Sequence, residues 1–287
     1  MSHPSAEPGA REAALEALLD FYVEAGVDLA IDETPHNRFA EPDRPQPAAS
    51  PAGTPAVSPV QRQPAQASSA AAPAFDATAS ADETALAARA TARAATSLEE
   101  LREALAAFDG CALKATAKNL VFADGTPGAR VMLVGEAPGR EEDIQGKPFV
   151  GRSGQLLDRM LAAIGLDRSS VYIANIVPWR PPGNRTPTPQ EAAICRPFIE
   201  RQIELCDPDV LVCLGGPSAQ ALLGVREGIL RTRGKWFDYD TGRRTIRALA
   251  TLHPAYLLRQ PAQKRLAWRD LRALRKVLDE IGVALRS

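Results

Sequence analysis

The chain has 287 residues and a net charge of −1, a balance that conceals a split. Residues 1–109 carry 7 Lys+Arg against 17 Asp+Glu and residues 110–287 carry 27 against 18, so a part at −10 precedes one at +9. The basic part points to a polyanionic partner; no apolar run reaches the length of a membrane span, and four cysteines without a signal peptide give the expectation of a reduced, cytoplasmic compartment.

Ala10–Ala25 places Leu15, Leu18, Leu19 and Tyr22 at helical spacing, which predicts an amphipathic helix within an N-terminal segment 1–33. A helix this short needs a surface to dock on, either the core or a protein partner. Thr34–Ser80 is dominated by Pro, Ala, Ser and Gln and reads as a disordered tether. The linker is drawn to residue 95, with Ala85–Ala95 helical by propensity alone. Ser97-Leu98-Glu99-Glu100 is a capping box opening a helix through Phe108, and the folded domain is taken as residues 96–287.

Val131–Val134 then reads as a buried strand running into Gly135-Glu136-Ala137-Pro138-Gly139, a turn that permits close approach of a ligand. It is neither a dinucleotide fingerprint nor a phosphate-binding P-loop. Acidic Glu141, Glu142 and Asp143 follow, then Phe149, a glycine-spaced segment, and a helix carrying Leu156, Leu157, Met160 and Leu161. A second strand, Val171–Ala174, ends in Asn175 and leads into a proline-rich loop from Pro178 to Pro189. Gln190–Leu205 is a helix, Asp209–Leu214 a third strand, and Ser218–Leu223 the start of another helix. Thr245–Leu252 is the last strand, ending at His253-Pro254, and Gln263–Leu285 is a long terminal helix with Leu271, Leu274, Leu278 and Ile281 on its apolar side. This alternation predicts an α/β domain with helices on both sides of a central, mostly parallel sheet, in three layers.

In such a sheet the carboxyl ends of Val134, Ala174 and Leu252 share one edge, where open α/β sheets carry their sites. Glu136, Phe149, Asn175 and His253 converge there. Each alone has an ordinary structural explanation, Asn175 as a turn cap and Phe149 as core. Four at strand ends of a basic domain point to a site.

The motifs G-E-A-P-G-x-x-E-D at 135–143, Phe149 downstream, N-x-x-x-x-R-P-P-G-N-R-x-P at 175–187 and H-P-A-Y-L-L-R at 253–259 resemble family 4 of the uracil-DNA glycosylase superfamily, from about Asp109 to Glu280. The resemblance implies an enzyme that flips uracil out of DNA and hydrolyses its bond to deoxyribose, initiating base-excision repair; a monomer is expected. It implies that Phe149 stacks on the base and that Asn175 reads the uracil edge. His253 donates to the oxygen that gains charge, and Gly135, Ala137, Pro138 and Gly139 form the turn around the base. By the same resemblance Leu257, Leu258 and Arg259 probe the duplex, and Arg180 and Arg185 contact phosphates. The best-known members carry a water-activating Asp where this chain has Ala137, so Glu136 is the carboxylate expected to orient water or stabilise the cationic sugar. Glu142 and Asp143 match the motif without a role beyond structuring the loop.

One departure matters. The family holds an iron–sulfur cluster on four cysteines, and here Phe108, Cys111, Trp179 and Cys195 occupy those positions. Cys206 and Cys213 fall outside the pattern. Two thiolates cannot hold a cubane that takes four, so no metal or cofactor is expected. Two other readings compete with the enzyme. A uracil-DNA trapping protein without turnover is disfavoured because the loop Val177–Thr188 lacks the reactive His of a trapping relative. A vestigial scaffold is disfavoured by intact Asn175, Phe149 and His253.

Overall fold

The structure is a computed structural model describing residues 81–282. The helix expected over Ala10–Ala25 and the tether over Thr34–Ser80 lie outside the described residues. Six strands form one sheet: β1 (Asp124–Gly125), β2 (Val131–Gly135), β3 (Tyr172–Asn175), β4 (Val210–Leu214), β5 (Trp236–Asp240) and β6 (Thr245–Thr251). They lie in the order β1-β3-β2-β4-β6-β5. The middle four are mutually parallel, while β1 and β5 pair antiparallel at the edges. β2, β3 and β4 are buried at every position, as strands covered on both faces must be.

Nine helices are present among the described residues: α1 (Ala81–Ala94), α2 (Leu98–Ala107), α3 (Arg140–Gln145), α4 (Arg152–Ala162), α5 (Pro189–Cys206), α6 (Gly216–Leu223), α7 (Ile229–Thr232), α8 (Pro254–Arg259) and α9 (Lys264–Glu280). Alternate strand residues sort into two cores. Met132, Val134, Ala174, Leu211, Cys213 and Ala248 pack with α1, α2, α5 and α6. Val131, Leu133, Ile173, Val212 and Leu249 pack with α4, α8 and α9 on the other face. That is the expected three-layer arrangement. None of the described helices is long and apolar enough to cross a membrane.

The register sets the strand ends level, with Gly135 opposite Asn175 and Leu214 opposite Thr251. The chain leaves β2 for β3 on one side and later returns to β4 on the other. The order therefore reverses at β2, and a crevice opens beyond its carboxyl end.

Two local readings are corrected. The stretch to residue 95 is not all linker, because α1 packs against α5 with Ala88 and Ala92 buried, and Ala95 is buried just beyond it. At Ser97 only half the capping box forms. Its hydroxyl accepts from Glu100 N at 3.1 Å, but the Glu100 carboxylate bonds Thr96, N at 2.7 Å and Oγ1 at 2.8 Å, rather than Ser97. The edge strands β1 and β5 were not anticipated, and the terminal helix runs Lys264–Glu280 within the described residues.

Candidate active site

Beyond the level strand ends lies a cavity of about 520 Å³, lined by Glu136, Ala137, Pro138, Gly139, Phe149, Asn175, His253 and Arg259, with Arg185 and Thr186 from the proline-rich loop. Glu136, Phe149, Asn175 and His253 thus meet in one space. Gly135 lies outside the lining but makes it possible: a Cβ there would sit 2.5 Å from Asn175 Oδ1 and 2.6 Å from Phe149 Cζ. The glycine is needed for two side chains to close over the strand.

Phe149 is held in an unfavourable backbone conformation, with φ of 54°. Its segment is gripped from both sides. The Arg168 guanidinium donates to the carbonyl of Phe149 and, at 3.2 Å, to that of Pro148. Arg168 is itself fixed by Asp158 at 2.7 Å and Asp124 at 2.6 Å. On the other side the buried Glu142 carboxylate accepts from Val150 N at 3.0 Å, Gly151 N at 2.9 Å and Gly139 N at 3.1 Å. Gly154 completes the grip, since a Cβ there would lie 1.7 Å from the Phe149 oxygen. Glu142 is therefore a loop anchor. Asp143 does the same for another segment, accepting from Lys118 N at 2.8 Å and Asn119 N at 3.2 Å. Arg168 escaped the sequence reading; its only signal there is a lone arginine before β3.

Asn175 closes β3 and is 5% exposed, and its Oδ1 is buried without a hydrogen-bond partner. Buried polar atoms are rarely left so. His253 is the N-cap of α8, its Nδ1 accepting from Ala255 N at 3.1 Å. A neutral ring whose Nδ1 accepts carries its proton on Nε2. The ring lies 5.4 Å from Phe149, tilted by 30°. His253 retains some exposed surface, yet burial of the imidazole, with the charge of Arg259 acting the same way, lowers its pKa to about 4. Gly215, at φ of 99°, brings the end of β4 against it, where a Cβ would lie 3.1 Å from His253 Cβ. Burial also raises the pKa of Glu136, opposed in part by a hydrogen bond from Thr186.

Three of the residues assigned to DNA do not line the cavity. Leu258 is 36% exposed and free to meet a ligand, whereas Leu257 is 1% exposed in the core under α8 and is corrected from a probing residue to a packing one. Arg180 donates to Asn184 Oδ1 at 2.6 Å. Arg185 does line the cavity, but its guanidinium forks onto Glu191 at 2.7 and 2.8 Å, which lowers the Glu191 pKa to about 2. Glu191 also completes the cap of α5 with Thr188, so this pair clamps the proline-rich loop to its helix.

Of the four positions that the resemblance matches to cluster cysteines, Cys111, Trp179 and Cys195 are buried in one core, and Phe108 packs against it. Cys111 and Cys195 are buried with their sulfurs 3.8 Å apart. The hydrogen bond with Cys111, reinforced by burial, holds the Cys195 thiol well above its ordinary pKa. Trp179 is 2% exposed, and the Phe108 ring packs 5.2 Å from that of Phe198. Gly110 makes room for Phe108, since a Cβ there would come within 2.4 Å of the ring. This donor set, two thiols and two hydrocarbon-rich rings, does not fit a four-thiolate cluster. Cys206 and Cys213 lie elsewhere in the same core, and burial pushes the Cys213 thiol up to about 12.

Residues 122–272 match the family model described as the uracil DNA glycosylase superfamily. The chain is 38% identical over 188 residues to the type-4 uracil-DNA glycosylase of Thermotoga maritima, covering 64% of this chain and 96% of that protein. It is 40% identical over 169 residues to the type-4 enzyme of Archaeoglobus fulgidus, covering 58% and 85%. With that of Sulfurisphaera tokodaii it shares 36% over 186 residues, covering 63% and 84%.

Proposed function

The chain belongs to the uracil DNA glycosylase superfamily, and from that premise we propose that it excises uracil from DNA by hydrolysing the N-glycosidic bond, without an iron–sulfur cluster. The observation that carries the reading is that Asn175 lines one cavity together with an aromatic ring and a neutral imidazole. Uracil offers an N3–H donor beside the O4 acceptor, which an amide matches with its oxygen and its N–H₂. Cytosine reverses both, presenting N3 as acceptor and an amino group as donor. Phe149 supplies the face on which the flipped base stacks.

As the bond between C1′ and N1 breaks, its electron pair leaves with the uracil and charge gathers on O2. Nε2–H of His253, fixed by the Ala255 contact, donates to that oxygen. Glu136, kept as a carboxylate, stabilises the cationic sugar and orients the water whose oxygen adds to C1′, taking up the water's proton. The absence of a cluster in this reading rests on the donor set at Phe108, Cys111, Trp179 and Cys195. Incubation with uracil-containing DNA followed by alkali tests the function: strand scission at uracil is expected. Tight binding with intact strands would overturn turnover.

Asn175→Ala should lower uracil excision by about tenfold or more, as expected when a site's paired polar group is lost. Asn175→Asp should retain more DNA binding while weakening uracil excision, and its protonated form can present a donor to cytosine. Normal excision by Asn175→Ala removes β3 from the recognition machinery.

The acid limb of kcat belongs to Glu136. Its raised pKa means the working carboxylate is present above that value and lost as pH falls through it. His253 stays neutral down to about 4 and does not set this limb. The residual activity of Glu136→Gln should therefore be flat where wild type declines. An unchanged acid limb in that variant reassigns the titrating group.

A further inference from the structure

We propose that the outward face of α9 is a track for single-stranded DNA flanking the flipped nucleotide, an inference that rests on the glycosylase reading above. The helix turns Ala267, Asp270, Leu271, Leu274, Val277 and Leu278 inward. Lys264, Arg265, Arg269 and Arg272 are exposed on the opposite arc, and Trp268, 44% exposed, stands among them. None of these four cations has an ion-pair partner among the described residues. The only acid of the first three turns, Asp270, is buried and paired with Arg233.

Helix stability favours acids in a first turn, and this one has none while starting on Lys264 and Arg265. The charge is thus unexplained by the helix itself and complements a phosphate chain. From residue 264 to 272 the stripe extends roughly 12 Å along the helix. An aromatic side chain interleaved with cations is the arrangement on which unpaired bases stack. The track also follows the site closely along the chain. Arg259 lines the cavity and Leu258 beside it is exposed, and only the short turn Pro261–Gln263 separates α8 from α9.

The test uses the full chain and a uracil-free oligothymidylate of about 30 nucleotides, followed by fluorescence anisotropy across a salt series. Replacing Lys264, Arg265, Arg269 and Arg272 together by Gln should lower the slope of log K against log salt by about 0.7 per lost contact, nearly 3 in all. Trp268→Ala should weaken binding by about tenfold at every salt concentration. Should the quadruple variant fail to fold, each single substitution still reports its own loss of slope. Excision from a uracil oligonucleotide too short to reach α9 should be unchanged in all variants. An unaltered slope and affinity in the variants overturns the track, whatever the excision result. Wild type that binds with this slope yet releases no uracil overturns the glycosylase reading and leaves the track standing.

Discussion

His253→Ala is expected to slow uracil release by roughly 10²–10³-fold, equivalent to about 2.7–4 kcal/mol of transition-state stabilisation, while binding to uracil-containing DNA stays within a few-fold of wild type. The size follows from preorganisation. Ala255 N–H occupies Nδ1, burial keeps the ring neutral, and Nε2–H is left as the one donor the ring can present. A donor already aligned where charge develops needs no reorganisation as the bond breaks. The variant also loses the side-chain cap of α8, which costs about 0.5–2 kcal/mol of stability. His253→Asn separates the two effects. It restores an acceptor for the cap but not the imidazole donor, so it should recover thermal stability and remain slow. Single-turnover release within a few-fold of wild type for His253→Ala removes His253 from the chemistry.

What the sequence made legible was everything carried by a strand and its end. An unbroken apolar run announces a strand buried on both faces, and parallel strands place their ends together. Glu136, Asn175 and His253 could thus be gathered from positions up to 117 residues apart. What stayed hidden was whatever depends on contacts without local pattern. Arg168 holds carbonyls 19 and 20 residues away, and nothing in its neighbourhood encodes that. α1 was missed as a packed element because its inward face is alanine. Ala88 and Ala92 mark no hydrophobic stripe, yet their small side chains let α1 approach α5. The motif alone does not separate Leu257 from Leu258, whereas a helical turn sends Leu257 inward and Leu258 outward. β5 lies at the sheet edge with only Tyr239 buried, so it lacks the unbroken burial of β2, β3 and β4.

Trp179→Ala is expected to destabilise the protein by about 3–5 kcal/mol, the range for removing a buried large aromatic. Against a typical total stability of about 5–15 kcal/mol that is a large fraction. For a domain of this size it corresponds to a fall in Tm of about 6–20 °C. Trp179 is 2% exposed in the core that also holds Cys111, Cys195 and Phe198, so its removal opens a cavity that rigid neighbours cannot refill. Phe108→Ala should cost less, because Phe108 is only partly buried on Phe198. Neither ring touches the flipped-base cavity, so uracil release per folded molecule should change less than stability does. The same packing bears on the cofactor. On the proposed reading these rings contribute apolar contact where a cluster would need sulfur, and Cys111 and Cys195 meet each other at 3.8 Å. Protein purified without oxygen should accordingly be colourless, free of stoichiometric iron, and fully active after chelator treatment. A brown preparation with about four irons per chain, as a thiolate-held cubane requires, would overturn the aromatic replacement. A Trp179→Ala variant with unchanged Tm would show that the ring does not hold this part of the core together.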